Sequence, residues 1–151
     1  MADAFHERDL KGWEVLERAM KNYNVQRMEH TTGTFDGIDG RLTGTTTNGT
    51  TTVWAIEQKN RDCLSTDYDT VMFNEPKYRK LCDNYRQTGE IPVFVSSYPD
   101  AVLIFNLLTY PEDKMVTDTR EIARTTVGSG EKYTQSRLFL DPKYAYRITL
   151  Q

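Results

Sequence analysis

An unbroken apolar run in the middle of the chain predicts a strand that is buried on both faces. The run from Val53 to Ile56 leads straight into Glu57 and, two positions later, Lys59. A half-exposed strand would alternate apolar and polar residues, so a continuous run indicates cover on both sides. Because side chains alternate along a strand, Glu57 and Lys59 project from one face near its C-terminal end. Burying an acid and a base is costly unless both find partners, which is typical of a functional site.

Apolar residues spaced three and four positions apart predict two helices. The first covers residues 6–24, and the second runs from Glu75 to Gln87. Asn74 has the side chain of an N-cap, and Gly89 has the backbone freedom that ends a helix.

The remaining apolar stretches predict further strands, and the fold class is therefore α/β, with a central mixed sheet flanked by helices. Strands are expected at Val25–His30, within Phe35–Leu42, at Ile91–Ser97 and at Ala101–Leu108.

Two parts of the chain are expected to be less regular. Residues 62–74 are predicted to form a polar loop that is long enough to act as a lid or an edge. After Tyr110 the pattern weakens, so a mobile loop is expected over residues 125–134. A short edge strand is expected from residues 138–140 and 144–148.

The turn at Asn48-Gly49 predicts a hairpin between the Asp39 segment and the central strand. A two-residue turn would place Asp39 opposite Gln58, on the wrong face of the pair. A three-residue loop with a left-handed Gly49 would place Asp39 directly across from Glu57, with side chains about 5 Å apart. Two carboxylates this close repel each other unless a proton or a cation lies between them.

The tripeptide of an acid, any residue and a lysine is a weak signal by itself. The position of the tripeptide that begins at Glu57 distinguishes it from the other occurrences. The same spacing occurs four more times, beginning at Asp9, Glu75, Glu112 and Asp141, in a sequence that is 27% charged. Only the Glu57 tripeptide ends an apolar strand.

Composition limits the classes of function that fit. With 151 residues and 38% hydrophobic residues, the chain can bury a core without metal or disulfide. The net charge of −3, from 19 basic and 22 acidic residues, counts mildly against a nucleic-acid binder and suits a cleft that holds divalent cations. The longest apolar run is too short to cross a bilayer, and the N-terminal residues lack an apolar signal region. Cys63 and Cys82 fit free thiols, so a cytoplasmic location is expected, without membrane association.

Four basic residues decorate the outer surface of the second predicted helix. They are Lys77, Arg79, Lys80 and Arg86. A solvated face is the default interpretation of such a cluster, and contact with phosphate is the sharper alternative. His6 and His30 are isolated and do not have the spacing of zinc ligands.

The order of elements and the residues Asp39 and Glu57-Gln58-Lys59 resemble the PD-(D/E)xK nuclease superfamily. Its single-domain members that resemble Holliday junction resolvases and phage enzymes are the most similar. Arg61 extends the motif to the Glu-x-Lys-x-Arg form. The resemblance covers about residues 7–108, within one domain predicted over residues 1–151, with an irregular extension over 109–151. No proline precedes Asp39, and Asp36 is a rival for its role.

The resemblance implies a restriction-endonuclease-like core and a Mg²⁺-dependent DNA hydrolase, in which Mn²⁺ would substitute. Asp39 and Glu57 would hold the metal together with the carbonyl of Gln58, and Lys59 would assist the attacking water.

The resemblance also implies that a first-helix glutamate completes the catalytic set. Three candidates stay open: helix phase favours Glu17, distance to the first strand favours Glu14, and Glu7 is the third. DNA contacts are expected from Arg61, Lys77 and Lys80, in a chain that is compatible with a homodimer. The alternatives are a nuclease-like module without catalysis, for binding or inhibition, and an unrelated α/β protein in which Asp39 and Glu57 do not converge.

Overall fold

The computed structural model describes residues 12–14, 16, 25–30, 38–45, 49–123 and 132–150. Within these residues the strands are β1 (Val25–His30), β2 (Gly40–Thr45), β3 (Thr51–Asn60), β4 (Val71–Asn74), β5 (Ile91–Ser97), β6 (Ala101–Asn106), β7 (Val116–Ala123), β8 (Lys132–Leu140) and β9 (Tyr146–Thr149). A helix spans Glu75–Thr88 and is called the central helix below; 3-10 turns span Glu112–Lys114 and Pro142–Tyr144. Residues 12–14 and 16 are helical and belong to the predicted first helix. No helix in the described ranges is long and apolar enough to cross a membrane.

The larger sheet has six strands in the order β1-β2-β3-β5-β6-β9. Its strands pair antiparallel except for β3 and β5, which run parallel. A parallel pair needs a long crossover connection, and here the chain between β3 and β5 contains β4 and the central helix. The predicted central mixed sheet is therefore confirmed.

The central helix begins and ends where its capping residues predict. The side chain of Asn74 accepts a hydrogen bond from the backbone N–H of Lys77, and Gly89 adopts the left-handed conformation with φ of 77°. An Asn N-cap satisfies one of the free N–H groups of the first turn, and glycine enters the left-handed region without a Cβ clash. The helix is one residue longer than predicted.

Both faces of the large sheet are buried at the centre of β3, as the unbroken run in that strand predicts. Ala55 and Ile56 are neighbours that point to opposite faces, and both are fully buried. The face of Ala55 packs under the central helix through Leu81. The face of Ile56 packs against Trp13 and Leu16 of the first helix.

The expectation of an irregular C-terminal extension is wrong. The strands β4, β8 and β7 form a second sheet in that order, and Leu138 and Leu140 of β8 join the core beneath the central helix. The predicted loop over residues 62–74 ends in β4, and residues 132–134 of the predicted mobile loop lie in β8. Most of β7 is polar, so its pattern gives little sign of a strand; pairing with β8 along eight residues provides the order. The rest of that predicted loop, residues 125–131, lies outside the described residues.

Candidate active site

The pairing of β2 with β3 has the three-residue register that was predicted. Gly40 pairs with Ile56, and the ladder continues to Thr45 opposite Thr51. Gly49 has a φ of 83°, the left-handed conformation that this loop requires. Residues 46–48 of the loop lie outside the described residues. Asp39 immediately precedes β2, so the register brings it beside the C-terminal half of β3.

Asp39 is fixed at the end of the ladder by the backbone of β3. Its Oδ2 atom accepts a hydrogen bond of 3.1 Å from the backbone N–H of Gln58. Its carboxyl group is close enough to that of Glu57 for hydrogen bonding and charge repulsion. The predicted convergence of the two carboxylates is confirmed. The interpretation as an unrelated α/β protein without this convergence is wrong.

Glu57 is a buried acid whose charge is only partly balanced. Its side chain is 4% exposed, and Nζ of Lys77 lies 2.5 Å from its Oε1 atom. Burial is the largest influence and the charge of Asp39 the next, and together they raise the pKa of Glu57 to about 7, while Lys77 opposes the rise. A carboxyl group in these surroundings tends to bind a proton or a cation.

Lys77 thus lies in the candidate site itself, a position that sequence reasoning missed. It was predicted to contact nucleic acid together with Lys80, which is exposed on the same helix, and that role stays a prediction for both. The position of Lys77 in the helical repeat could have predicted this contact. Lys77 precedes the buried Leu81 by four positions, so both side chains lie on the face of the helix that meets the sheet.

Lys59 and Gln58 occupy opposite faces at the end of β3. Lys59 is exposed and shares the face of Glu57. The Gln58 side chain is buried on the other face, where its Nε2 donates to Oγ of Ser97 at 3.3 Å. The N–H and C=O of one strand residue point to the same edge. Since the N–H of Gln58 meets Asp39, its carbonyl oxygen is directed to that edge too, as the predicted ligand requires.

Arg61 connects three parts of the structure. Its Nε donates to Oγ of Ser96 at 3.2 Å, and its Nη2 donates to the carbonyl oxygen of Met72 at 2.5 Å. Its backbone N–H donates to the carbonyl oxygen of Ser97. The guanidinium therefore joins the end of β3 to β5 and β4. Contact with nucleic acid stays a prediction for this residue.

The first helix approaches the site through Gly12, a second residue that sequence reasoning missed. A Cβ atom added to Gly12 would lie 2.2 Å from Nε2 of Gln58, so a larger residue would force the end of the Gln58 side chain to move. Among the three candidate acids, Glu14 is exposed on the described part of the helix. Glu7 and Glu17 lie outside the described residues, so the choice between the three stays open.

The oxygen donors fit Mg²⁺ better than a softer metal. Two carboxylates and one backbone carbonyl are hard ligands, and Mg²⁺ is commonly bound through one or two carboxylates while it keeps several waters. The described residues contain no cluster of three or more His, Cys, Asp or Glu side chains suited to a metal. The fit therefore depends on Asp39, Glu57 and the Gln58 carbonyl, with water in the other positions.

This architecture is a restriction-endonuclease-like fold. A similar solved structure is that of Hjc, a Holliday junction resolvase from the archaeal hyperthermophile Archaeoglobus fulgidus, with a TM-score of 0.54 and 16% sequence identity over 89% of each chain. No family model matches the sequence, and no curated protein matches it. The likeness defines the fold and confirms the predicted resemblance at that level. It covers a larger share of the chain than the predicted residues 7–108.

Proposed function

We propose that this chain is a Mg²⁺-dependent nuclease that hydrolyses phosphodiester bonds of DNA. The observation that carries the proposal is the convergence of Asp39 and Glu57 at the end of β3, within a nuclease fold. Their carboxylates would bind the cation together with the Gln58 carbonyl. Lys59 shares the face of Glu57 and is exposed at the surface, where a substrate would approach.

The chemistry follows from the charge of the substrate. A phosphodiester is anionic and repels hydroxide, so its hydrolysis needs charge neutralisation and an activated water. A bound Mg²⁺ ion supplies both by polarising the phosphate and lowering the pKa of water. The backbone N–H of Gln58 orients Asp39, and the exposed ammonium of Lys59 would orient the attacking water or stabilise developing negative charge.

Branched DNA is the first substrate to test. The structurally similar Hjc is a Holliday junction resolvase, and at 16% identity its substrate is a guide to experiment. The net charge of −3 makes broad, nonspecific attraction to DNA weak. Binding would then depend on local basic groups, for which Lys77 and Lys80 are exposed candidates on the central helix.

The test combines metal-dependent melting with cleavage of single-stranded, duplex and four-way-junction DNA. Mg²⁺ should raise the melting temperature of the wild type, because a ligand that binds only the folded state stabilises it. Glu57→Gln and Asp39→Asn should lose most of this shift and all detectable cleavage. Glu112→Gln is the matched control, because Glu112 is an exposed acid on a 3-10 turn and should behave as wild type.

The outcomes separate the candidates. A wild-type protein with neither a metal-dependent shift nor cleavage of any substrate would contradict the proposal. A shift without cleavage would favour the second candidate, a nuclease-like module that binds DNA or another protein without catalysis. The contact between Lys77 and Glu57 is the observation behind that candidate, because an ammonium group on one oxygen of Glu57 would leave a bound cation fewer ligands than catalysis needs.

A further inference from the structure

The ion pair between Lys77 and Glu57 joins two side chains with very different freedom. Glu57 is 4% exposed and is fixed within β3, whereas the Lys77 side chain is 53% exposed on the first turn of the central helix. The buried surroundings of Glu57 leave its carboxylate little room to move. The ammonium group can swing into solvent by rotation of its flexible stem.

The contact occupies one of the two oxygen atoms through which Glu57 would bind the proposed metal. Nζ of Lys77 lies 2.5 Å from Oε1 of Glu57, and Mg²⁺ binds oxygen at about 2.0–2.1 Å. Two cations bound to one carboxylate at these distances would lie within a few ångströms of each other and repel strongly. The Glu57 carboxylate therefore tends to hold either the Lys77 ammonium group or a divalent cation, and not both.

The charges give each occupant a different advantage. The carboxylates of Asp39 and Glu57 carry two negative charges when both are ionised. One ammonium group balances half of that charge, and a divalent cation balances all of it. Lys77 has the advantage of being covalently attached, so it is present at high effective concentration whatever the metal concentration.

We propose that Lys77 is a built-in competitor for the metal site, which sets the divalent-cation affinity by holding Glu57 until metal displaces it. The inference rests on the proposed metal-binding function and deepens it. Metal binding and release of Lys77 are then one coupled event. The released ammonium stays beside the cation, where a substrate phosphate would arrive.

The decisive variant is Lys77→Met, which removes the charge and keeps a flexible apolar stem. Lys80→Met is the matched control, because Lys80 is exposed on the same helix. Binding of Mg²⁺ and Mn²⁺ is measured by titration calorimetry without DNA, at mildly alkaline pH so that protons compete little for Glu57. Lys77→Met should bind metal roughly fivefold more tightly than wild type, the scale of a half-exposed ion pair, and Lys80→Met should match wild type.

A second measurement uses the wild-type protein. Acetylation of lysines is followed by mass spectrometry with and without Mg²⁺. The reactivity of Lys77 should rise when metal binds, because the amine leaves its carboxylate partner, whereas that of Lys80 should not change.

Failure of this inference can be distinguished from failure of the proposed function. Wild type that binds metal, with Lys77→Met binding equally or more weakly, would overturn the competition and leave the nuclease proposal standing. An equal gain in metal affinity in Lys80→Met would mean that the effect comes from general surface charge, which would also overturn the competition. If neither wild type nor Lys77→Met binds metal, the metal site itself fails, and the competition fails with it.

Discussion

Two neighbouring residues at the end of β3 have opposite surroundings. Glu57 faces the central helix and lies against Asp39 and Lys77, with a pKa raised to about 7. Gln58 faces the first helix, where its buried amide packs against Gly12. One face of the strand therefore holds charges that are incompletely balanced, and the other holds a neutral, filled contact. The two helices therefore contribute differently: the central helix supplies the ammonium group of Lys77, and the first helix supplies Gly12, which has no side chain.

The largest expected effect comes from removing the ammonium group of Lys59, which lies on the same face of β3 as Glu57. Lys59→Ala should lower turnover by about 10²–10³-fold, the usual cost of losing one group that stabilises developing charge. It should keep most of the metal-dependent melting shift, because Lys59 acts on water or phosphate and does not ligate the cation. Cleavage rates and melting curves check this, with Lys114→Ala, an exposed lysine on the 3-10 turn of residues 112–114, as control. A loss of metal binding in Lys59→Ala would mean that the lysine supports the cation site instead.

The second effect is a dependence of stability on pH. The folded pKa of Glu57 is about 7 and its ordinary value is 4.5, so the folded state binds this proton more tightly than the unfolded chain. Stability should therefore fall as pH rises from 4.5 through 7, by about 3 kcal/mol at most. Denaturant unfolding across this range should show the fall in wild type, and Glu57→Gln should flatten it. Parallel curves for wild type and Glu57→Gln would contradict the raised pKa.

The third effect tests the neutral face. Gly12→Ala should destabilise the fold by about 1–3 kcal/mol, the range for overpacking, because the added Cβ would displace the buried Gln58 amide from its hydrogen bond to Ser97. Alanine favours a helix over glycine by about 1 kcal/mol, so the measured loss is the clash less this gain. Urea unfolding provides the measurement. In the double variant Gly12→Ala, Gln58→Ala the clash is absent, so the higher helix propensity of alanine should offset part of the lost stability. A Gly12→Ala variant that is more stable than wild type would contradict the close approach of Gly12 to Gln58.

The smallest effect concerns DNA contact by the central helix. If Lys80 contacts phosphate, Lys80→Ala should weaken binding similarly for all sequences and reduce the slope of log affinity against log salt by about 1. Lys77 is unsuitable for this test because its loss also changes Glu57. Binding to DNA at several salt concentrations gives the answer, with Gln87→Ala on the same helix as the neutral control. An unchanged slope would return Lys80 to an ordinary solvated surface.

The sequence predicted the elements whose signals are local. The buried run of β3, the caps at Asn74 and Gly89, and the register fixed by the left-handed Gly49 all depend on residues close in the chain. The turn fixes the register of the whole hairpin, including residues far from the turn, and for that reason the approach of Asp39 to Glu57 was predictable.

Only the tertiary structure decided the partners that come from separate elements. Lys77 meets Glu57 because the crossover after β3 brings the central helix back over the sheet, and Gly12 meets Gln58 because the first helix covers the opposite face. The second sheet likewise formed from a mostly polar β7 by pairing with β8. Periodicity specifies which face of an element is buried. It does not specify which element covers that face, because the choice depends on the summed packing of the whole chain.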